Sequence, residues 1–253
     1  MRLPLLCLIL CATPVAAMKI DLSSSYNMDR PASIEFDPHL CGLWVVDEGR
    51  DAFLVSLEGE ELRRIRTNLS LVRAITLEGD NLLVADGFGR FQRLTKDGVA
   101  LTEPFTLKGV AMDTEGLLAL EDGTLIHVED NPGRLIWTSP DGQLIKAINT
   151  ADLDPPLTEP RGIDRNPRTG NLLIVDDSDG SNSIFELTTD GVLVSTTPLS
   201  EFGRNPAGIA MSPSGNRMFM AFDRDARIAT FDIGTGEVTE IDVDALGGYR
   251  CGV

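Results

Sequence analysis

The sequence predicts an all-β fold, a β-propeller of five blades, on three observations. First, five segments repeat one grammar, in which a small residue and Ile or Val open a strand and an apolar run closing on Asp follows. The copies run from Ala32-Ser33-Ile34 to Asp47, Arg73-Ala74-Ile75 to Asp86, Lys108-Gly109-Val110 to Asp122, Arg161-Gly162-Ile163 to Asp176 and Ala207-Gly208-Ile209 to Asp223. Their leading Ile or Val residues lie 41, 35, 53 and 46 positions apart, a spacing that fits one four-stranded sheet per repeat. Second, runs such as Leu43-Trp44-Val45-Val46 and Leu172-Leu173-Ile174-Val175 are too short for helices and are bounded by Gly, Asn and Asp, as strands buried between sheets are. Third, alternating strands such as Phe53-Leu54-Val55-Ser56-Leu57 are followed by turns at Glu58-Gly59, Asp97-Gly98, Asp141-Gly142, Asp190-Gly191 and Thr235-Gly236, where Gly takes positive φ at little cost.

In chain order, residues 1–17 read as an export signal. Arg2 supplies the positive start, Leu3 to Ala12 is apolar but too short to span a bilayer, and Val15-Ala16-Ala17 offers a cleavage site; a retained anchor helix is the alternative. Residues 18–253 then form a single propeller domain, with no linker of biased composition to divide them. The periplasm or the extracellular medium is the expected location, and no other stretch is long and apolar enough for membrane insertion.

Blade one carries Cys41 between its first two strands, and Cys251 lies three residues from the C-terminus. After the last expected strand, Glu237 to Val243, eight residues reach roughly 26 Å, enough to bring Cys251 to Cys41. A disulfide there would tie the two ends of the chain together; two buried free thiols are the alternative. Blades two to four follow the same grammar, and Met218-Phe219-Met220-Ala221 with Ile228-Ala229-Thr230-Phe231 supply blade five. Arg250-Cys251-Gly252-Val253 reads like one more repeat opening, 44 residues after Ile209, so six blades with a degenerate last one is the alternative count.

Charge narrows the partners. The chain has 22 Lys plus Arg against 39 Asp plus Glu, a formal net charge of −17. Such a surface repels nucleic acid and anionic lipid. A monomer is expected.

The repeats carry a family resemblance. Glu159-Pro160-Arg161-Gly162-Ile163-Asp164 with Gly170-Asn171-Leu172-Leu173-Ile174-Val175-Asp176, and Asn205-Pro206-Ala207-Gly208-Ile209 with Ser212-Pro213-Ser214-Gly215, resemble NHL-type propeller repeats and the related gluconolactonase/regucalcin propellers. The resemblance spans residues 32 to 243 and implies a propeller. It also implies metal-ligating Asn or Asp ahead of selected inner-strand glycines, but here those places hold Lys108, Arg161 and Ala207, with Arg73 and Ala32 in the other repeats. Metal-assisted lactone hydrolysis is weakened accordingly.

Three of those openings are cationic. Arg73, Lys108 and Arg161 fall at the mouth of the central channel, where guanidinium forks recognise carboxylate or phosphate. The alternative is structural pairing with the strand-ending Asp47, Asp86, Asp122, Asp176 and Asp223. Longer segments around Glu129-Asp130-Asn131-Pro132-Gly133 and Asp177-Ser178-Asp179-Gly180-Ser181-Asn182 are expected to overhang the same mouth, adding Asn131 and Asn182 to the candidate binding residues. Asp177 and Asp179 could ligate calcium, although the EF-hand register is missing; otherwise no cofactor is expected.

Nucleophilic chemistry has little support. There is no Gly-x-Ser-x-Gly, Cys-His or His-Glu-x-x-His motif, and no catalytic residue is assigned. His127 alternates with apolar residues as a core histidine does, and Trp44 and Trp137 sit in strands where packing outweighs sugar stacking. The reading is a non-catalytic binding or scaffolding propeller for an anionic small molecule, peptide or envelope partner. The alternative is a divergent metal-dependent lactonase or esterase of the gluconolactonase-like class.

Overall fold

The computed structural model describes residues 20–21, 28, 30–107, 112–233 and 239–241. Strand β1 (Ile20–Asp21) enters first. Blade one is β2 (Ser33–Asp37), β3 (Gly42–Val46), β4 (Asp51–Ser56) and β5 (Glu61–Arg66). Blade two is β6 (Ala74–Glu78), β7 (Asn81–Ala85), β8 (Arg90–Thr95) and β9 (Phe105–Thr106). Blade three is β10 (Thr114–Ala119), β11 (Leu125–Glu129), β12 (Arg134–Thr138) and β13 (Leu144–Asn149). Blade four is β14 (Pro160–Arg165), β15 (Leu172–Asp176), β16 (Ser183–Leu187) and β17 (Leu193–Pro198). Blade five is β18 (Pro206–Met211), β19 (Arg217–Phe222) and β20 (Arg227–Asp232), and both β1 and β21 (Thr239–Ile241) pair with the outer edge of β20. The two ends of the chain thus complete one sheet, and five blades close the ring.

Every sheet is an antiparallel meander, and each innermost strand touches the innermost strands of its two neighbours around the axis. That crowding explains the small residue in the repeat grammar. A Cβ on Gly116 would stand 2.4 Å from the Arg161 carbonyl oxygen, and one on Gly162 would stand 2.5 Å from that of Ala207. Only a bare backbone allows such an approach. Between blades lie apolar layers: Ile34, Val45 and Phe53 meet Phe219 and Ile228 of blade five, and Leu118, Ile126 and Trp137 meet Ile163, Ile174 and Phe185 of blade four. Trp44 is fully buried with its indole N–H donating to Asp37 at 3.1 Å, and the Trp137 ring carries the Lys146 ammonium 4.2 Å from its centre. His127 is buried and its Nε2 contacts Thr138 Oγ1 at 2.9 Å, as a structural histidine does.

Blade three corrects the sequence reading. The run Leu117-Leu118-Ala119-Leu120, which the repeat grammar makes the apolar second strand before Asp122, belongs to and just beyond the innermost strand β10. Asp122 lies in the tight turn that follows, where Gly123 has φ +86°. The register makes Ile34, Ile75, Leu117, Ile163 and Ile209 equivalent. Their spacings are 41, 42, 46 and 46 residues, more even than the expected set. The position expected to hold Lys108 therefore holds Glu115, and Glu129 takes the place given to Asp122. Counting from Glu129, the blade-three segment around Asn131 is an ordinary turn; the longer one is that of blade four.

Lys108, Gly109 and the expected Cys251 partner of Cys41 lie outside the described residues. Cys41 itself sits in the turn between β2 and β3, with φ +55°. Among the described residues no helix is long and apolar enough to cross a membrane.

Candidate functional site

All five innermost strands run in the same direction along the axis, so the channel has an end where they begin and an end where they finish. The starting end holds two of the predicted cationic residues, Arg73 and Arg161. There, the five equivalent opening positions are Ala32, Arg73, Glu115, Arg161 and Ala207, and the acid falls between the two arginines.

Glu115 has only 4% of its side chain exposed and receives both guanidinium groups: Arg73 Nη1 donates to one oxygen and Arg161 Nη1 donates to the other at 2.8 Å. Arg73 also lies 3.6 Å from Glu48, while Arg161 lies 3.3 Å from Asp177 and 3.7 Å from Asp130. Arg30 continues the chain, 3.2 Å from Asp223 of blade five and 3.9 Å from Glu48 of blade one. Acid and base alternate from Asp223 through Arg30, Glu48, Arg73, Glu115 and Arg161 to Asp177, linking all five blades. Burial works against the Arg161 charge, but Glu115, Asp130 and Asp177 outweigh it and raise the pKa. Carboxylates are in excess here. Burial lifts Asp130 to about 6 against the pull of Arg161, helped by a hydrogen bond shared with Glu159, and burial with the nearby Glu115 raises Asp113. The space left is a cleft of about 20 Å³, bordered by Arg30, Glu48, Glu115, Arg161 and Asp177 among others.

The strand-ending acids Asp86 and Asp176 serve the turns rather than Arg73 and Arg161, while Asp223 pairs with Arg30. Asp86 accepts the N–H groups of Phe88 and Arg90 at 2.8 and 3.0 Å, and Asp176 accepts those of Glu159 and Ser181 at 2.7 and 2.6 Å. Glu129 holds the Met112 N–H at 2.5 Å and Arg134 Nε at 2.8 Å. In the blade-four loop, Asp177 accepts Asp179 N–H at 2.7 Å while also facing Arg161, and the Asp179 side chain is 71% exposed, 3.9 Å from Arg224. Asn182 has φ +49° and a buried side-chain oxygen with no hydrogen-bond partner among the described residues. Asn131 is exposed and its N–H donates to Asp113. Among the described residues no group of three or more His, Cys, Asp or Glu is arranged to hold a metal.

The finishing end is open. A cavity of about 510 Å³ is lined there by Glu35 and Asp164, by Thr76 and Ser212, and by Phe36, Leu77, Leu118, Leu120 and Met211, with Pro38, Pro167 and Pro213 also on its wall. Glu35 and Asp164 each follow the leading Ile of an innermost strand, where the other repeats have Thr76, Leu118 and Ala210. Asp164 Oδ1 accepts its neighbour Arg165 N–H and Oδ2 accepts Met211 N–H across the blade boundary, both at 2.6 Å. Glu35 is bonded by the Thr76 hydroxyl and the Leu77 N–H, and Thr76 Oγ1 in turn accepts Ala119 N–H at 3.2 Å. Burial lifts Asp164 to about 7; burial and the facing Asp164 charge push Glu35 well above the usual carboxylate range. Both carboxyl groups are therefore harder to ionise than exposed ones. The sequence reading passed over Glu35, Asp164 and Glu115. Aligning the innermost strands at even spacing is the signal that finds all three.

No family model matches the chain, and no curated protein matches it. Solved structures do. The Myxococcus xanthus glutaminyl cyclase is similar with a TM-score of 0.66 and 15% identity, over 85% of this chain and 93% of that one. A chain of the nidogen/laminin complex gives 0.59 and 17%, over 85% and 81%, and the Staphylococcus aureus virginiamycin B lyase bound to quinupristin gives 0.52 and 16%, over 88% and 73%. At these identities the likeness is one of fold: the chain is a five-bladed β-propeller.

Proposed function

We propose that the protein is a binding propeller that takes a small ligand into the axial cavity at the finishing end of the channel. One observation carries this: about 510 Å³ is open beside Glu35 and Asp164, while about 20 Å³ remains beside the arginines. A cavity of that size, with apolar side chains and converging polar groups sharing its wall, suits a small organic molecule. At the other end an anion would have to displace Glu115 from two guanidinium groups and enter a surplus of carboxylates, so Arg73 and Arg161 act there as ties between blades. The same proposal places the protein outside the cytoplasm, with residues 1–17 removed and Cys41 joined to Cys251; the apolar stretch after Arg2 and the position of Cys41 in an inner turn support it.

The test is a fragment screen by ligand-observed NMR on the wild type, on Ala119→Phe, which fills the cavity, and on the pair Arg73→Gln and Arg161→Gln. Binders should be lost in Ala119→Phe and kept in the arginine variants. Binders that ignore the filled cavity and vanish with the arginines would return the site to the other end.

A further inference from the structure

The deeply buried carboxylates of this molecule come with their own complement. Asp37 has Lys96 at 2.9 Å, Glu115 has two arginines and Glu129 has Arg134, while Asp86 and Asp176 each hold several donors of their own turns. Glu35 and Asp164, partly buried, each accept two hydrogen bonds but have no ion-pair partner among the described residues. Both line the cavity, close enough for the Asp164 charge to act on Glu35, and among the described residues no salt bridge joins either to a cation. The one basic side chain on the cavity, Arg165, gives its Nε to the Gly170 carbonyl at 3.1 Å. Two carboxylates open to one cavity and without an ion-pair partner make its wall negative, a charge that a cationic occupant complements.

Resting on the cavity reading above, we infer that the ligand is an amphipathic organic monocation, an amine whose ammonium group sits between Glu35 and Asp164 while its apolar body covers Leu77, Leu118 and Met211. A primary ammonium has three donors, enough to reach both carboxylates at once. The hydrocarbon wall favours an organic cation over a small hydrated ion, because burying the body displaces water from apolar surface. A carboxylic acid ligand would meet like charge, and a neutral alcohol would leave the pair uncompensated. A bound ammonium favours the ionised carboxylates, so binding releases protons and the affinity rises with pH. The other charged groups at this end are already engaged or at the margin: Asp37 with Lys96, Glu78 with Arg93, and Glu121 and Arg165 on the cavity wall.

The experiment titrates the full chain with n-hexylammonium, n-hexanol and n-hexanoate, following the Met211 methyl resonance and the heat of binding at pH 6 and pH 8. Hexylammonium should bind at least tenfold more tightly than hexanol, gain affinity at pH 8 and release protons. Hexanoate should not move the Met211 signal. Glu35→Gln, which keeps acceptors for the Leu77 N–H, should bring hexylammonium down toward the hexanol level and leave hexanol unchanged; Asp164→Asn repeats the test from the other side. Equal binding of the amine and the alcohol, or a preference for hexanoate at Met211, overturns the cation assignment while the cavity reading stands. If none of the three perturbs Met211, the cavity reading falls as well.

Discussion

Replacing Glu115 by Gln removes the negative centre of the ring of charges and keeps its shape. Glu115 is 4% exposed, and the two guanidinium groups that share it are 28% and 26% exposed, so solvent screens the contact poorly. Removing one partner of a buried pair costs roughly 3–5 kcal/mol. Each arginine keeps a second acid, Glu48 for Arg73 and Asp130 with Asp177 for Arg161, which holds the expected loss near the lower end, at about 3 kcal/mol. For a domain of this size that lowers the melting temperature by roughly 6–12 °C. The comparison is Glu61→Gln, whose partner Arg64 is 48% exposed; an exposed pair should shift stability by less than about 1 kcal/mol. Urea and thermal denaturation of the two variants, repeated in high salt, read the difference, which should survive the salt. A Glu115→Gln loss no larger than that of Glu61→Gln would refute the idea that these contacts lock the blades.

Stability should fall as the pH rises from about 4 to about 8, because folded Asp164 holds its proton up to about 7 while the unfolded chain releases it near 3.8. Glu35→Gln should flatten that fall and gain on the order of 1 kcal/mol at pH 8, and an unchanged pH profile would show that the pair does not titrate together. Gly162→Ala puts a methyl 2.5 Å from the Ala207 carbonyl and 2.8 Å from the Gly208 Cα; a loss of about 1–3 kcal/mol by urea unfolding is expected, and a neutral result would mean the inner strands are not in contact. With the proposed Cys41–Cys251 bond, Cys251→Ser should cost about 3 kcal/mol in oxidising buffer and nothing relative to wild type once the wild type is reduced. Mass shifts on thiol alkylation check the bond directly.

The blades were legible because burial between sheets leaves a strong mark: Leu43 to Val46, Leu82 to Ala85 and Leu172 to Val175 are apolar on both faces. Blade three misled for the same reason. Its innermost strand β10 ends in Leu117-Leu118-Ala119, as apolar as a second strand, and its true second strand carries a buried His127 that breaks the run. Misplacing that one repeat put Lys108 where Glu115 stands and turned an alternating row of charges into an apparent row of cations. Glu35 and Asp164 were hidden differently. Single acids after an Ile carry no local pattern, and their significance comes from meeting across the axis, over 129 residues of sequence.

The two ends of the channel differ because different connections surround them. At the starting end, the turns between the second and third strands of each blade and the crossings from blade to blade both arrive, bringing Glu48, Asp130, Asp177 and Arg30 close enough to Arg73, Glu115 and Arg161 to neutralise them. At the finishing end, the hairpins that leave the innermost strands turn at Pro38, Gly79, Gly123, Pro167 and Pro213, short corners that line the cavity wall and leave its space open. Charge placed at the first end finds protein partners and becomes structure. Charge placed at the second end, as at Glu35 and Asp164, keeps hydrogen-bond donors of the protein but no ion-pair partner among the described residues, and it borders open space where a cation can enter.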